Sequence, residues 1–376
     1  MVGSPTFRTL ALCSRATGSI ATYERVRQEA ADVVCWLTLV RDAEAHGLDP
    51  LLFRQLLDAS ISIPSPCRAH LQARWVQHAH AYAVRTRLLR DVVHAMQTER
   101  VSFLVLKGAA LAHLVYANPV LRPMRDVDLL VRPHEARRAC QVLEQCGFSA
   151  KGAPVAPDYH HLTGMAKTVD GVTVTIELHH ALLRATPFLR PLGYDDLDNR
   201  AQPFEWGDMR LRTLGPEDML WHVYAHAFAI NVLCPAIRLI SVADLVSLVE
   251  AWVDRLDWDR IGREFGQVLR ALPLFHDLTP WSPRVLEVLG AVSGRPSGVR
   301  PLTSSVVWSG ALNRDVLWPP EWWFRVRYGI DGPRRWVWYR FVGHPARLAL
   351  AAAHTATTRL AKRVCTNRGH VLLARS

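Results

Sequence analysis

Three carboxylates are the residues here best placed to do chemistry. Asp126 and Asp128 lie one residue apart in Asp126-Val127-Asp128-Leu129-Leu130-Val131, and Glu177 lies in Val172-Thr173-Val174-Thr175-Ile176-Glu177-Leu178. Side chains alternate along a strand, so both aspartates project to one face while Val127, Leu129 and Val131 turn to a core. By the same alternation Glu177 shares a face with Thr173 and Thr175, opposite Val174, Ile176 and Leu178. Carboxylates held side by side repel, which is costly unless a cation neutralises them. Hard oxygen ligands of this kind suit Mg²⁺ or Mn²⁺. If the two strands pair, the three acids converge on one metal site. That arrangement fits phosphoryl transfer, in which metal ions align the attacking oxygen and stabilise charge on leaving pyrophosphate. An isolated Asp-x-Asp reads equally as a solvated strand edge. The third acid and the unit preceding the pair favour the metal site.

That unit is Lys107-Gly108, where a strand feeds a helix. Glycine permits close backbone approach, and free N–H groups at a helix start attract phosphate oxygens. Lys107 would add a point charge to a triphosphate. Only four of the 45 basic residues are lysines, so a lysine kept here suits a specific role, and it reads equally as a surface lysine at a strand end. Histidines come in three groups, His160-His161, His179-His180 and His222/His226. His179 follows Glu177 by two residues on the same face and is a candidate to orient the acceptor or the triphosphate. His222 and His226 are four apart on an expected helix, where packing outweighs zinc binding because no HExxH accompanies them. GxSxG, GxxxxGK[ST] and a dinucleotide GxGxxG are missing from any suitable context, which leaves serine hydrolases, P-loop enzymes and Rossmann dehydrogenases unsupported.

The elements that must position these groups follow from pattern. Residues 24–95 show apolar recurrence at three and four and read as helices, interrupted at Pro64 and Pro66 before one long helix. VSFLVL, from residue 101, reads as a strand, followed by Lys-Gly and the helical AALAHLVYA. RPMRDVDLLV supplies a second strand, and HEARRACQVLEQCGF an amphipathic helix ending at Gly147. Asp170-Gly171 between AKTV and VTVTIELH predicts a hairpin with a type I′ turn. From Leu214 the pattern is helical again, starting at Pro216-Glu217-Asp218.

The chain has 376 residues, 49% hydrophobic and 21% charged, enough for two or three lobes with a sizeable core. It carries no apolar run of membrane-spanning length. Its first residues lack a charged start leading into a continuous apolar run, which argues against a secretory signal. Seven dispersed cysteines without CxxC spacing read as reduced thiols of a cytoplasmic protein. From Arg295 onward, fourteen basic residues face three acidic ones, so this last fifth carries the whole net charge of +11. Six of the thirteen tryptophans lie there too. Such a segment suits an anionic partner, or is a Trp-rich helical core with a solvated arginine face.

The run Leu106-Lys107-Gly108, Tyr116, and Arg122-Pro123-Met124 leading into Asp126-Val127-Asp128-Leu129-Leu130-Val131 resembles the uncharacterised bacterial nucleotidyltransferase family of the DNA polymerase beta-like superfamily. Glu177-Leu178-His179 is similar to that family's acid-Leu-His strand. Pro216-Glu217-Asp218 with His222 and His226 resembles its following helix, and Arg238, Asp244 and Asp257-Trp258 resemble later landmarks. The likeness spans about residues 100–265. It implies transfer of a nucleoside monophosphate from an NTP, with Mg²⁺ (or Mn²⁺), to an acceptor that is a small molecule, a peptide or protein, or an RNA. Asp126, Asp128 and Glu177 would be the metal-binding catalytic acids. Lys107, Gly108, Arg122, Arg125 and His179 would be nucleotide-binding. This chain departs from the superfamily by having Lys107-Gly108 in place of the usual Gly-Ser, Glu177 in place of the commoner Asp, and Arg125 where a small residue is often seen. The implied fold is α+β: a small mixed sheet with helices over residues 99–212, flanked by helical lobes over residues 1–98 and 213–376. Alternatives are a non-catalytic nucleotide-binding regulator of the same fold, and a nucleic-acid-binding module using the basic C-terminal segment.

Overall fold

Serine, proline and glycine set the first helices in the computed structural model, which describes residues 4–152, 154–155, 159–183, 192–229, 237–292, 317–330, 332–351 and 353. Ser4 and Ser19 cap helices α1 (Pro5–Leu12) and α2 (Ile20–Ala31), each accepting a backbone N–H three residues on. Helix α3 (Trp36–His46) stops at Gly47, whose left-handed φ of 68° relieves the last carbonyls. After α4 (Asp49–Asp58), Pro66 lies in the first turn of α5 (Ser65–Thr98), a 34-residue helix. The expected helical stretch with a break at the prolines is thus observed.

Seven strands form one mixed sheet: β1 (Phe103–Val105), β2 (Val127–Val131), β3 (Ser149–Ala150), β4 (Met165–Val169), β5 (Val172–His179), β6 (Gln202–Trp206) and β7 (Met209–Thr213). Their order is β3-β4-β5-β2-β1-β7-β6. β2 pairs parallel with β5, and β1 parallel with β7. The β4–β5 hairpin turns at Asp170 (φ 50°) and Gly171 (φ 74°), the two left-handed residues that a type I′ turn requires. β6–β7 is a second hairpin, not anticipated from the sequence, turning at Gly207 (φ 62°). Helix α6 (Lys107–Leu114) links β1 to β2, and α7 (Ala136–Gln145) lies between β2 and β3.

Val127, Leu129 and Val131 are fully buried. Each such side chain stabilises the fold by roughly 1.5–3 kcal/mol, and together they set β2's phase. A one-residue slip would drive Asp128 into the core. The strand is shorter than expected, so Asp126 stands immediately before it rather than within it. After α8 (Tyr194–Asn199) and the second hairpin the chain is helical: α9 (Pro216–Tyr224), α10 (Leu239–Trp252), α11 (Trp258–Ala271), α12 (Pro283–Val292), α13 (Glu321–Tyr328) and α14 (Pro333–Trp338). Asp218 in the first turn of α9 is fully buried between Arg200 and Arg260, so this acid braces α11 as well as its own helix end.

The Trp-rich stretch divides. Trp322 and Trp323 are core, with the Arg327 guanidinium 3.9 Å from the centre of the Trp323 ring. Trp318 and Trp338 are about half exposed, at 48% and 54%. Trp308 and everything after residue 353 fall outside the described residues. Cys13, Cys35, Cys67, Cys140 and Cys146 are free thiols; Cys234 and Cys365 lie outside the described residues. No helix among the described residues is long and apolar enough to cross a membrane.

Candidate functional site

Parallel pairing of β2 with β5 sets Asp128 opposite Glu177 and Leu130 opposite His179. Period-two alternation then puts Asp128, Glu177 and His179 on one face of neighbouring strands. His179 is fully buried and Asp128 nearly so, whereas the Glu177 side chain keeps 26% of its surface. His179 Nε2 donates to Asp128 Oδ1 at 2.8 Å and lies 3.9 Å from Glu177 Oε2. Lys107 Nζ sits 3.2 Å from the same Asp128 oxygen. Among the described residues, ligand atoms of Asp128, Glu177 and His179 all lie within 4.8 Å of one another. Asp126 is outside that group but close enough for its charge to act on Glu177.

The electrostatics differ between these acids. Burial alone would raise Asp128, yet the Lys107 ammonium and the His179 hydrogen bond hold it well below the ordinary carboxylate range. Asp126 and Glu177 are pushed up, first by burial and then by the charge of Asp128. Burial likewise depresses His179, outweighing its bond to Asp128, so this imidazole is neutral at pH 7. One firmly ionised aspartate therefore faces two carboxyls that resist ionisation, as like charges sharing a site do.

Lys107 begins α6 in the left-handed region, φ 48°, a conformation uncommon for a residue with a Cβ. Leu106 N donates to Asp128 O at 2.9 Å, tying this turn to β2 at the aspartate itself. Gly108 admits a close neighbour, and that neighbour is a guanidinium: a Cβ at 108 would lie 1.9 Å from Arg122 Cζ. Arg122 binds Asp244 of α10 through Nη2 (2.7 Å) and Nε (3.2 Å), and the Tyr116 hydroxyl donates to the same carboxylate at 2.8 Å. Burial disfavours the Arg122 charge, but Asp244 more than restores it. Arg122 is thus engaged inside the protein. Arg125 is exposed beside Asp126.

Sequence reasoning left the histidines as three separate groups; the structure gathers five of them. His161 forms a bridge with His179, and Leu162 N donates to Leu178 O at 2.8 Å, laying residues 160–162 along β5. Ring centres of His160, His161 and His179 stand 4.9–5.2 Å apart. His161 Nε2 is 3.7 Å from Glu177 Oε2. From the other side come His222 and His226, 6.1 Å apart where α9 widens into a π-helical turn over Ala225–Ala229. Such turns recur at functional sites. His226 keeps an exposed surface, yet its close surroundings and the Lys107 charge lower its proton affinity. The repeated His-His and H-x₃-H spacings were visible in sequence, but nothing local said that they meet.

No curated protein matches this sequence significantly. Solved structures show distant likeness. A candidate nucleotidyltransferase from Thermotoga maritima is 18% identical, aligning over 35% of this chain and 78% of its own with a TM-score of 0.27. The antibiotic-resistance factor ANT(2'')-Ia is 14% identical over 52% and 98%, at 0.34. An antigenic nucleotidyltransferase-like protein from Paracoccidioides brasiliensis is 14% identical over 53% and 96%, at 0.30. These scores carry no inference about substrate. The sequence match is firmer, because the model of one family covers residues 32–271, a span holding Lys107, Asp126, Asp128, Glu177, His179 and Asp244. On that match the chain belongs to the family described as uncharacterised nucleotidyltransferase.

Proposed function

We propose that the protein is a divalent-cation-dependent nucleotidyltransferase. An acceptor group attacks the α-phosphorus of a nucleoside triphosphate, the bond to the bridging oxygen of the β-phosphate breaks, and pyrophosphate leaves. The observation carrying this reading is the pairing of Asp128 with Glu177 on parallel strands, with Asp126 two residues upstream. The donor set fits a divalent cation, since mutually repelling carboxyls lose their repulsion when a dication lies among them. That cation, held by Asp126, Asp128 and Glu177, would supply charge to the triphosphate and to the departing pyrophosphate.

The chain's own groups divide the remaining work. Lys107 and His179 hold Asp128 in place and ionised. Glu177, whose side chain stays partly exposed, takes the proton from an acceptor hydroxyl as the new bond to phosphorus forms. Lys107 and Arg125 offer positive charge to phosphate oxygens. Arg122 acts at one remove, bracing the Gly108 turn through Asp244. The described helices before β1 and after β7 would shape the acceptor pocket.

The test supplies α-phosphate-labelled NTPs with Mg²⁺ or Mn²⁺ to small-molecule, peptide and RNA fractions. The expected result is label transfer with a nucleotide-sized mass increase and matching pyrophosphate, lost in Asp126→Ala and Asp128→Asn. Nucleotide binding without pyrophosphate release, indifferent to Asp126→Ala, would instead assign a non-catalytic regulator.

A further inference from the structure

We propose that His161 is a nitrogen ligand of the cation held at Glu177, which makes the centre a mixed carboxylate–imidazole site that favours a first-row transition-metal ion such as Mn²⁺ over Mg²⁺. The inference rests on the reading that these acids hold a divalent cation, and adds a residue and a metal preference to it.

The argument starts from a tautomer. His161 Nδ1 lies 2.7 Å from the Leu162 carbonyl oxygen, which can only accept, so Nδ1 carries the proton. In the neutral ring Nε2 then presents a lone pair. That lone pair stands 3.7 Å from Glu177 Oε2, another acceptor, beyond hydrogen-bond range. With Glu177 ionised, two acceptors face each other across this gap, and a cation between them reconciles them. Donors about 2.1 Å from an ion stand roughly 3 Å apart when adjacent and roughly 4.2 Å apart when opposite, and 3.7 Å lies between these limits.

The ring is also held as ligating histidines are. Metal-bound imidazoles donate their second N–H to a carbonyl or carboxylate, which fixes tautomer and orientation. Here the Leu162 carbonyl does this, the bridge to His179 fixes the backbone, and Tyr159 packs edge-on against the ring at 4.6 Å. His179 Nε2, 3.9 Å from the same Glu177 oxygen, donates to Asp128 and positions that carboxylate. Imidazole nitrogen is a poor partner for hard Mg²⁺ and a good one for later divalent ions, so the donor set discriminates by type as well as by charge.

Mn²⁺ titrated into the full-length chain and followed by electron paramagnetic resonance reads both parts. Pulsed spectra of the wild type should carry ¹⁴N modulation from a coordinated imidazole, converted to the ¹⁵N pattern by ¹⁵N-histidine labelling. In His161→Gln that modulation should diminish, with Mn²⁺ affinity falling at least about tenfold and Mg²⁺ affinity little changed. His161 is only partly buried, and circular dichroism checks that the variant folds. Mn²⁺ bound with oxygen-only spectra, or with modulation and affinity unaltered in His161→Gln, overturns this inference and leaves the carboxylate centre standing. No Mn²⁺ bound to the wild type overturns both.

Discussion

Replacing Gly108 by alanine tests the packing that joins the Lys107 turn to the rest of the site. The added methyl would sit 1.9 Å from Arg122 Cζ and 2.0 Å from its Nη1. Ordinary carbon contact begins near 3.5 Å, so the guanidinium must retreat by roughly 1.5 Å. Usually the end of a long side chain yields cheaply, but this one is held by two bonds to Asp244, of 2.7 and 3.2 Å. A retreat of that size breaks both and leaves Asp244 buried with only Tyr116. Breaking a buried ion pair costs about 3–5 kcal/mol. Alanine at a helix position returns about 1 kcal/mol over glycine, and the φ of Gly108 is not in the left-handed region. The net expectation is a loss of roughly 2–4 kcal/mol, or roughly 2–5 °C in Tm. Urea denaturation of Gly108→Ala, Arg122→Met and the double variant measures it. In the Arg122→Met background the alanine should become neutral or stabilising. An equal loss in both backgrounds, or a stabilised single variant, refutes the reasoning.

Other expectations concern charge, metal and pH. Glu177→Gln should abolish label transfer by at least about 100-fold. The same change should raise Tm in EDTA slightly, because it relieves repulsion from Asp128 and Asp126; a lower Tm would contradict the site's electrostatics. Mn²⁺ at a hundred times its Kd should stabilise the wild type by about 2.7 kcal/mol in thermal melts, and leave an Asp128→Asn, Glu177→Gln double variant unmoved. His113 packs against Trp206 and Phe204, and burial lowers it to about 4. The unfolded chain takes up a proton near pH 6.5 while the folded chain waits until about 4, so stability is full above 6.5 and falls as pH drops through that window. Because the ring is partly exposed, the loss from this one group between pH 7 and 5 should be about 1 kcal/mol. His113→Phe should remove that component of the slope in urea titrations at the two pH values.

Much of the frame was legible because it is written in local periodicity. The alternation of Val174, Ile176 and Leu178 set the face of Glu177, and Asp170-Gly171 turned as its two left-handed residues require. Pro66 marked the start of the long helix. The Gly207-Asp208 turn, between the alternating Phe204-Glu205-Trp206 and Met209-Arg210-Leu211-Arg212-Thr213, carries a signal of the same kind. What stayed hidden depends on partners far along the chain. Arg122 meets Asp244 across 122 positions, so its engagement there rather than with a free phosphate has no local trace. The approach of His161 to Glu177 depends on residues 160–162 folding back along β5. Trp322 and Trp323 went to the core while Trp318 and Trp338 did not, a division that composition does not reveal.

The β2–β5 pairing also governs when the acids first meet. Residues 128 and 177 become neighbours only after α7 and the β4–β5 hairpin have closed the long excursion between them. Loop closure of that length must be completed before any contact rewards it. During synthesis, a ribosome-bound chain lacking β5 carries an incomplete carboxylate set. Any opening that peels β5 away removes Glu177, His179 and the bridge to His161 in one event, so loss of the centre is all-or-none rather than gradual.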